Sequence, residues 1–154
     1  KMIMEEVVKG RALDRYATMA SRETISAIKD EAVREAFNTN GRVDFALDVP
    51  EITDDIDYLR MIVIKMREGD RVATDGAYEF DLDADEDERT TSDIYVNVTL
   101  PPRYDQDYSF MSRLVAELKE TFRHELEHSS QSTEELMAVQ RAVPDRQVER
   151  LGDC

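Results

Sequence analysis

Disulfides are excluded at once: the chain has a single cysteine, Cys154, which stands at the last position and has no intrachain mate. The cystine framework that braces small secreted proteins is therefore missing, and a reducing compartment is the expected setting. Tryptophan is absent, and histidine occurs only as His124 and His128. No run approaches the ~18 apolar residues of a transmembrane helix, and Lys1-Met2-Ile3-Met4-Glu5-Glu6 offers no apolar signal-peptide region, so no membrane partner is expected. Positive charge is also scarce. Twenty Lys and Arg face 35 Asp and Glu, for a net charge of -15, which argues against nucleic acid or an anionic surface as partner. If charge selects a partner, that partner is basic; otherwise the acidity serves solubility. What is present suffices for a core: 154 residues, 41% of them hydrophobic, are the size of one domain spanning 1–154 that needs no disulfide or structural metal as a staple. A start at Lys1 and an end at Cys154 without a terminal cap are compatible with one piece of a longer product.

Helical periodicity comes first along the chain. Between Ala12 and Asn38, Ile25, Ile28, Ala32 and Ala36 form one stripe, widened by Val33 and Phe37, and Ser21 is read as an internal N-cap dividing two helices. Asn40-Gly41 stops the second, since both residues tolerate the left-handed conformation. Val43, Phe45, Leu47 and Val49 then alternate with polar or small residues as in a half-buried strand, closed by Pro50. Tyr58 to Met66 is apolar on both faces and reads as an interior strand. Glu68-Gly69-Asp70 and Asp75-Gly76 are turn signals. Tyr78, Phe80 and Leu82, then Ile94, Val96, Val98 and Leu100, mark two further strands, read as antiparallel neighbours, with Pro101-Pro102 ending the second. The acidic run Asp83 to Glu88 between them lacks the glycine and terminal acid of a calcium loop in either register, so it is read as a solvated hairpin tip.

The longest helix is expected from about Asp105 to Ser130, with Met111, Leu114, Val115, Leu118, Phe122 and Leu126 on its apolar stripe. Ser132-Thr133-Glu134-Glu135 is a capping box, so another helix follows to about Ala142, before Pro144. The whole predicts an α+β fold: a small mixed or antiparallel sheet of about four strands, with an N-terminal helix and the long helix packed on it.

Both histidines lie in that long helix, within Thr121-Phe122-Arg123-His124-Glu125-Leu126-Glu127-His128, an H-E-x-x-H pattern. Residues four apart are one turn above each other, so His124 and His128 can aim two imidazoles at one metal ion with Glu125 beside it. Glu125 falls near the edge of the apolar stripe and the histidines on its flank, which anchors the helix and offers the imidazoles to a cleft. Neutral imidazoles and carboxylates suit Zn2+, and a carboxylate next to the metal can act as general base. The competing reading of the histidines is a surface pair on a solvated helix. Tyr104 and Tyr108 are candidates for polarising a carbonyl, although aromatics at a helix start more often pack.

These residues resemble the zincin superfamily of metallopeptidases, in which an H-E-x-x-H helix lies under a small mixed sheet. The order helix, strands, motif helix, further helix looks like a minimal gluzincin, and Arg123 to Gln131 also resembles short H-E-x-x-H proteins encoded by tailed phages. The resemblance implies a peptide or protein substrate extended along an edge strand, for which Asp93 to Leu100 is the counterpart; the cytoplasmic setting expected, in a cell or infected host, follows from the lack of an apolar span or signal region and from the lone cysteine. It also implies a third metal ligand. The gluzincin spacing points to Glu149, with Asp145 and Asp153 nearby; the metzincin spacing points to Glu134, but Gln131 stands where that family has its turn glycine. Glu149 is favoured, and a ligand beyond Cys154 also satisfies the pattern. "HELEH" resembles peptide deformylases too, but their ligand cysteine has no upstream equivalent here. The expectation is a zinc peptidase with Glu125 as base. The alternatives are a noncatalytic structural or interaction protein on the same scaffold and a zinc hydrolase of a nonpeptide amide.

Overall fold

The computed structural model describes residues 2–83 and 88–142. The fold is α+β: α1 (Met2–Lys29), α2 (Glu31–Asn40), β1 (Arg42–Ala46), α3 (Pro50–Thr53), β2 (Leu59–Glu68), β3 (Ala73–Asp83), β4 (Glu88–Leu100), a 3-10 turn (Tyr104–Gln106), α4 (Met111–Ser130) and α5 (Thr133–Ala142). Among the described residues no helix is long and apolar enough to cross a membrane.

Two helices fill the N-terminal region as expected, but the break is at Asp30 and not at Ser21. The Asp30 carboxylate accepts from the amides of Ala32 (3.1 Å) and Val33 (3.4 Å), satisfying donors that have no partner within α2. Ser21 is also of a capping type. Its hydroxyl instead donates to the Ala17 carbonyl at 2.7 Å, a bond compatible with helix interior, and α1 runs on. Gly41, at φ 72°, closes α2 by donating to the Phe37 carbonyl at 2.7 Å.

The strands form one mixed sheet in the order β1-β2-β4-β3. β1 is antiparallel to β2, β2 is parallel to β4, and β3 is antiparallel to β4, with Ile62 opposite Ile94 and Gly76 opposite Val96. Strands β3 and β4 are thus the antiparallel neighbours expected. Two expectations change. The strand from Asp93 to Leu100 belongs to β4, which is interior, so it is not an edge; β1 and β3 are the edges. And Asp75-Gly76, read as a turn, lies inside β3. Along β2 only one face is sealed: Ile62, Ile64 and Met66 are buried, while Met61, Val63 and Lys65 between them are partly exposed.

The helices contribute Leu13, Ala17, Ile28, Phe37, Leu114, Leu118, Phe122 and Leu126 to a core shared with Ile62, Ile64, Ile94, Val96 and Val98 of the sheet. Tyr104 belongs to this core rather than to a reacting centre. Its ring packs edge-on against Phe37 with centroids 5.0 Å apart, and its hydroxyl donates to the Ile28 carbonyl at 2.6 Å. Burial holds the Tyr104 phenol above its ordinary range, and burial does the same at Tyr78. A phenol whose pKa is raised by folding contributes stability that is complete below the unfolded value of about 10 and is lost as pH rises toward the folded value. On alkaline titration the phenolate absorbance of Tyr104 and Tyr78 is therefore expected to develop together with the loss of near-ultraviolet circular dichroism. Ionisation of both in a still-folded protein would contradict the burial.

Candidate functional site

α4 is tied down on three sides. Leu114, Leu118, Phe122 and Leu126 are buried; Arg123 reaches Asp14 of α1 at 2.7 Å and Glu127 of its own helix at 3.0 Å. On the sheet side, the Thr121 and Thr74 hydroxyls are 2.7 Å apart and the Thr74 hydroxyl also donates to the Glu117 carbonyl at 3.3 Å. Two residues along β3 and one turn along α4, Gly76 meets Glu125. A methyl group on Gly76 would come within 2.7 Å of Glu125 Cγ and 2.8 Å of its Oε2. The absence of a side chain at position 76 is what lets the Glu125 carboxylate lie against the strand backbone.

The H-E-x-x-H residues then separate by exposure. Glu125 is 0% exposed, His128 is half-buried and His124 is exposed. Both imidazoles project from adjacent turns and touch, with ring centroids 4.7 Å apart and planes at 83°. The Nδ1 of His128 is 3.1 Å from the Gln131 side-chain oxygen, a contact that orients that ring. His124 and Glu125 line a cleft of about 360 Å3 whose opposite wall is Thr74, Asp75 and Gly76 of β3. Glu117 and Glu120 complete it, so the lining has four carboxylates and no Lys or Arg. His128 stands outside that lining, one turn further along.

Two of the donors expected for zinc therefore stand together, as the spacing predicted. The third is not beside them: among the described residues no group of three His, Cys, Asp or Glu side chains could hold a metal ion. Glu134 is exposed in the first turn of α5 and joins no such group; the start of α5 accounts for it, with Ser132 Oγ accepting from the Glu135 amide at 3.1 Å. Glu149, Asp145 and Asp153 lie outside the described residues. Imidazole is a zinc ligand, but a catalytic zinc takes three protein ligands, and the described residues supply only the histidine pair here.

Two residues of this region were not singled out by sequence. Gly76 carried a signal, an isolated glycine within an alternating apolar pattern, but its neighbour Asp75 gave the dipeptide the character of a turn. Arg89 carried none. It lies near the start of β4, is 5% exposed, and donates to Tyr78 Oη and to the Gln131 carbonyl. Comparison with protein-family models, with curated proteins and with solved structures found no match for the chain.

Proposed function

We propose that the protein is a zinc-dependent metallopeptidase of the zincin type, with His124 and His128 as metal ligands, Glu149 as the third ligand and Glu125 as general base. The observation that carries the reading is the meeting of His124 and Glu125 in one cleft beside β3, an edge strand, with His128 in ring contact behind. Zinc, when bound, supplies a Lewis acid that acidifies water and polarises a carbonyl. The protein's own groups do the rest. Glu125 accepts the proton of the attacking water and delivers it to the departing amine. The outer edge of β3 faces no other strand among the described residues, and pairing there would align an extended peptide with the cleft. Asp75, Glu117 and Glu120 favour a peptide with basic side chains near the bond that is cut. The chemistry and the lone cysteine suit a cytoplasmic protein, of a cell or of an infected host.

A second reading, a noncatalytic structural or interaction protein on a zincin-like scaffold, is favoured by one observation: Glu125 is wholly enclosed against Gly76, whereas a general base has to meet water. Metal analysis separates the two. The full-length protein is expected to carry about one zinc per chain, lost on His124→Ala and on His128→Ala with the circular dichroism spectrum retained. Protein that stays metal-free after zinc addition, with unchanged thermal stability, would sink the peptidase reading.

A further inference from the structure

We propose that a second cavity, between the start of α1, the turn before β2 and the α4–α5 junction, binds an organic carboxylate with Arg89 as its anchor. The cavity has a volume of about 630 Å3, the size of a small-molecule site, and shares no lining residue with the H-E-x-x-H cleft. Its walls include Leu13, Tyr16, Ile56, Tyr58, Arg89 and Gln131.

The guanidinium is where the cavity departs from ordinary packing. Arg89 is 5% exposed, yet among the described residues it forms no ion pair. Its two hydrogen bonds go to neutral groups, Nη1 to the Tyr78 hydroxyl at 2.7 Å and Nη2 to the Gln131 carbonyl at 2.8 Å, and Nε has no hydrogen-bond partner. Asp55, one of three acids on the cavity wall with Asp57 and Glu135, accepts from the Tyr16 hydroxyl. Burying a cation without a counter-charge is costly, so an anion that reaches this group binds with the advantage of relieving that cost.

Geometry and charge narrow the ligand. Tyr58 and Tyr78 lie over the guanidinium with its central carbon 4.9 Å and 5.9 Å from their ring centroids. Nε is the guanidinium nitrogen without a hydrogen-bond partner, and with the second N–H of Nη2 it can offer a carboxylate two parallel hydrogen bonds. On the cavity wall two cations, Arg89 and Lys9, face three acids, Asp55, Asp57 and Glu135, a balance that opposes a dianion more strongly than a single carboxylate. The aromatic and aliphatic walls suit an apolar body behind the carboxylate. Tyr58, the exposed one of the two rings at 47%, lines the cavity together with Arg89.

Phenylacetate and its neutral isostere phenylacetamide are the probes, titrated into the full-length protein with the Arg89 Nε–H resonance followed by NMR. Phenylacetate is expected to shift that resonance saturably. Phenylacetamide is expected to bind about tenfold more weakly or worse, because a charge-assisted pair of hydrogen bonds is lost. Arg89→Lys keeps the charge but not Nε and is expected to weaken phenylacetate by a similar factor, with zinc content unchanged. Equal affinity for acid and amide overturns the proposal, as does the absence of saturable binding or an Arg89→Lys protein that binds as well as the parent. Should Arg89→Lys fail to fold, the comparison of acid with amide on the parent protein decides alone.

Discussion

Glu125→Gln is expected to lower the cleavage of an unstructured, lysine-rich polypeptide by about a hundredfold to ten-thousandfold while leaving zinc in place. That range is what a positioned acid–base group supplies. Glutamine keeps the size and most of the shape of the carboxylate, so the contact with Gly76 persists and α4 stays seated. It has no capacity to take up a proton at neutral pH. The zinc content reports His124 and His128 separately from the proton transfer, and the two readouts together discriminate. Retained zinc with lost cleavage assigns Glu125 the role of base. Retained zinc with undiminished cleavage removes Glu125 from the mechanism, and a parent protein that holds zinc yet cleaves nothing favours the structural reading. The enclosure of Glu125 makes the result informative in either direction. A carboxylate with 0% exposure needs its surroundings to shift slightly before water reaches it, whereas a purely structural glutamate needs only to stay where it is.

The motif helix was legible because its apolar stripe and its histidines obey one period, although it starts at Met111 and not near Asp105, where Tyr104–Gln106 forms a separate 3-10 turn, and α1, at 28 residues against 20, is the longer helix. Leu114, Leu118, Phe122 and Leu126 are buried where the period put them, and Glu125, expected at the edge of the stripe, is buried beside them. The strands were legible as strands for the same reason, alternation in Ile94, Val96 and Val98 being answered by alternate burial. What the pattern does not encode is neighbourhood. β2 and β3 are consecutive in the chain, yet β4 lies between them, so β3 is an edge that local sequence gives no reason to choose. Capping is ambiguous in a similar way. Ser21 and Asp30 are both of a capping type, and the difference is that the Ser21 hydroxyl finds the Ala17 carbonyl inside a continuing helix, while the Asp30 carboxylate finds two amides. Arg89 was invisible because an arginine in a strand that opens beside an acidic run reads as a solvated charge. Among the described residues, the packing of Tyr58, Tyr78 and the α4–α5 junction around it takes it out of water.

Gly76→Ala is expected to destabilise the protein by about 1–3 kcal/mol, the cost of forcing volume into a packed interior, although alanine is intrinsically the better strand residue by about 0.5–1 kcal/mol. The added carbon would stand 2.7 Å from Glu125 Cγ and 3.0 Å from its Cδ, inside any tolerated contact, and these are not the free end of an exposed side chain. Glu125 is fully buried on a helix fixed by Leu118, Phe122 and Leu126, so the strain has to move either the carboxylate or the β3 backbone. Gly76 is not at a positive φ, and the penalty therefore belongs to this one contact and not to backbone conformation. A double-mutant cycle tests that attribution. In a Glu125→Ala background the clash is gone, and Gly76→Ala should become neutral or mildly stabilising, a coupling of about 1 kcal/mol or more between the two positions. Urea unfolding of the four proteins measures it. Additive effects would show that position 76 rejects a side chain for some other reason, and the close approach of β3 to the candidate base would lose its energetic meaning. A strong coupling makes Gly76 a positioning residue: Gly76→Ala in the parent would then also lower turnover more than it raises KM, since what it displaces is the proposed proton acceptor and not the edge that would pair with the peptide.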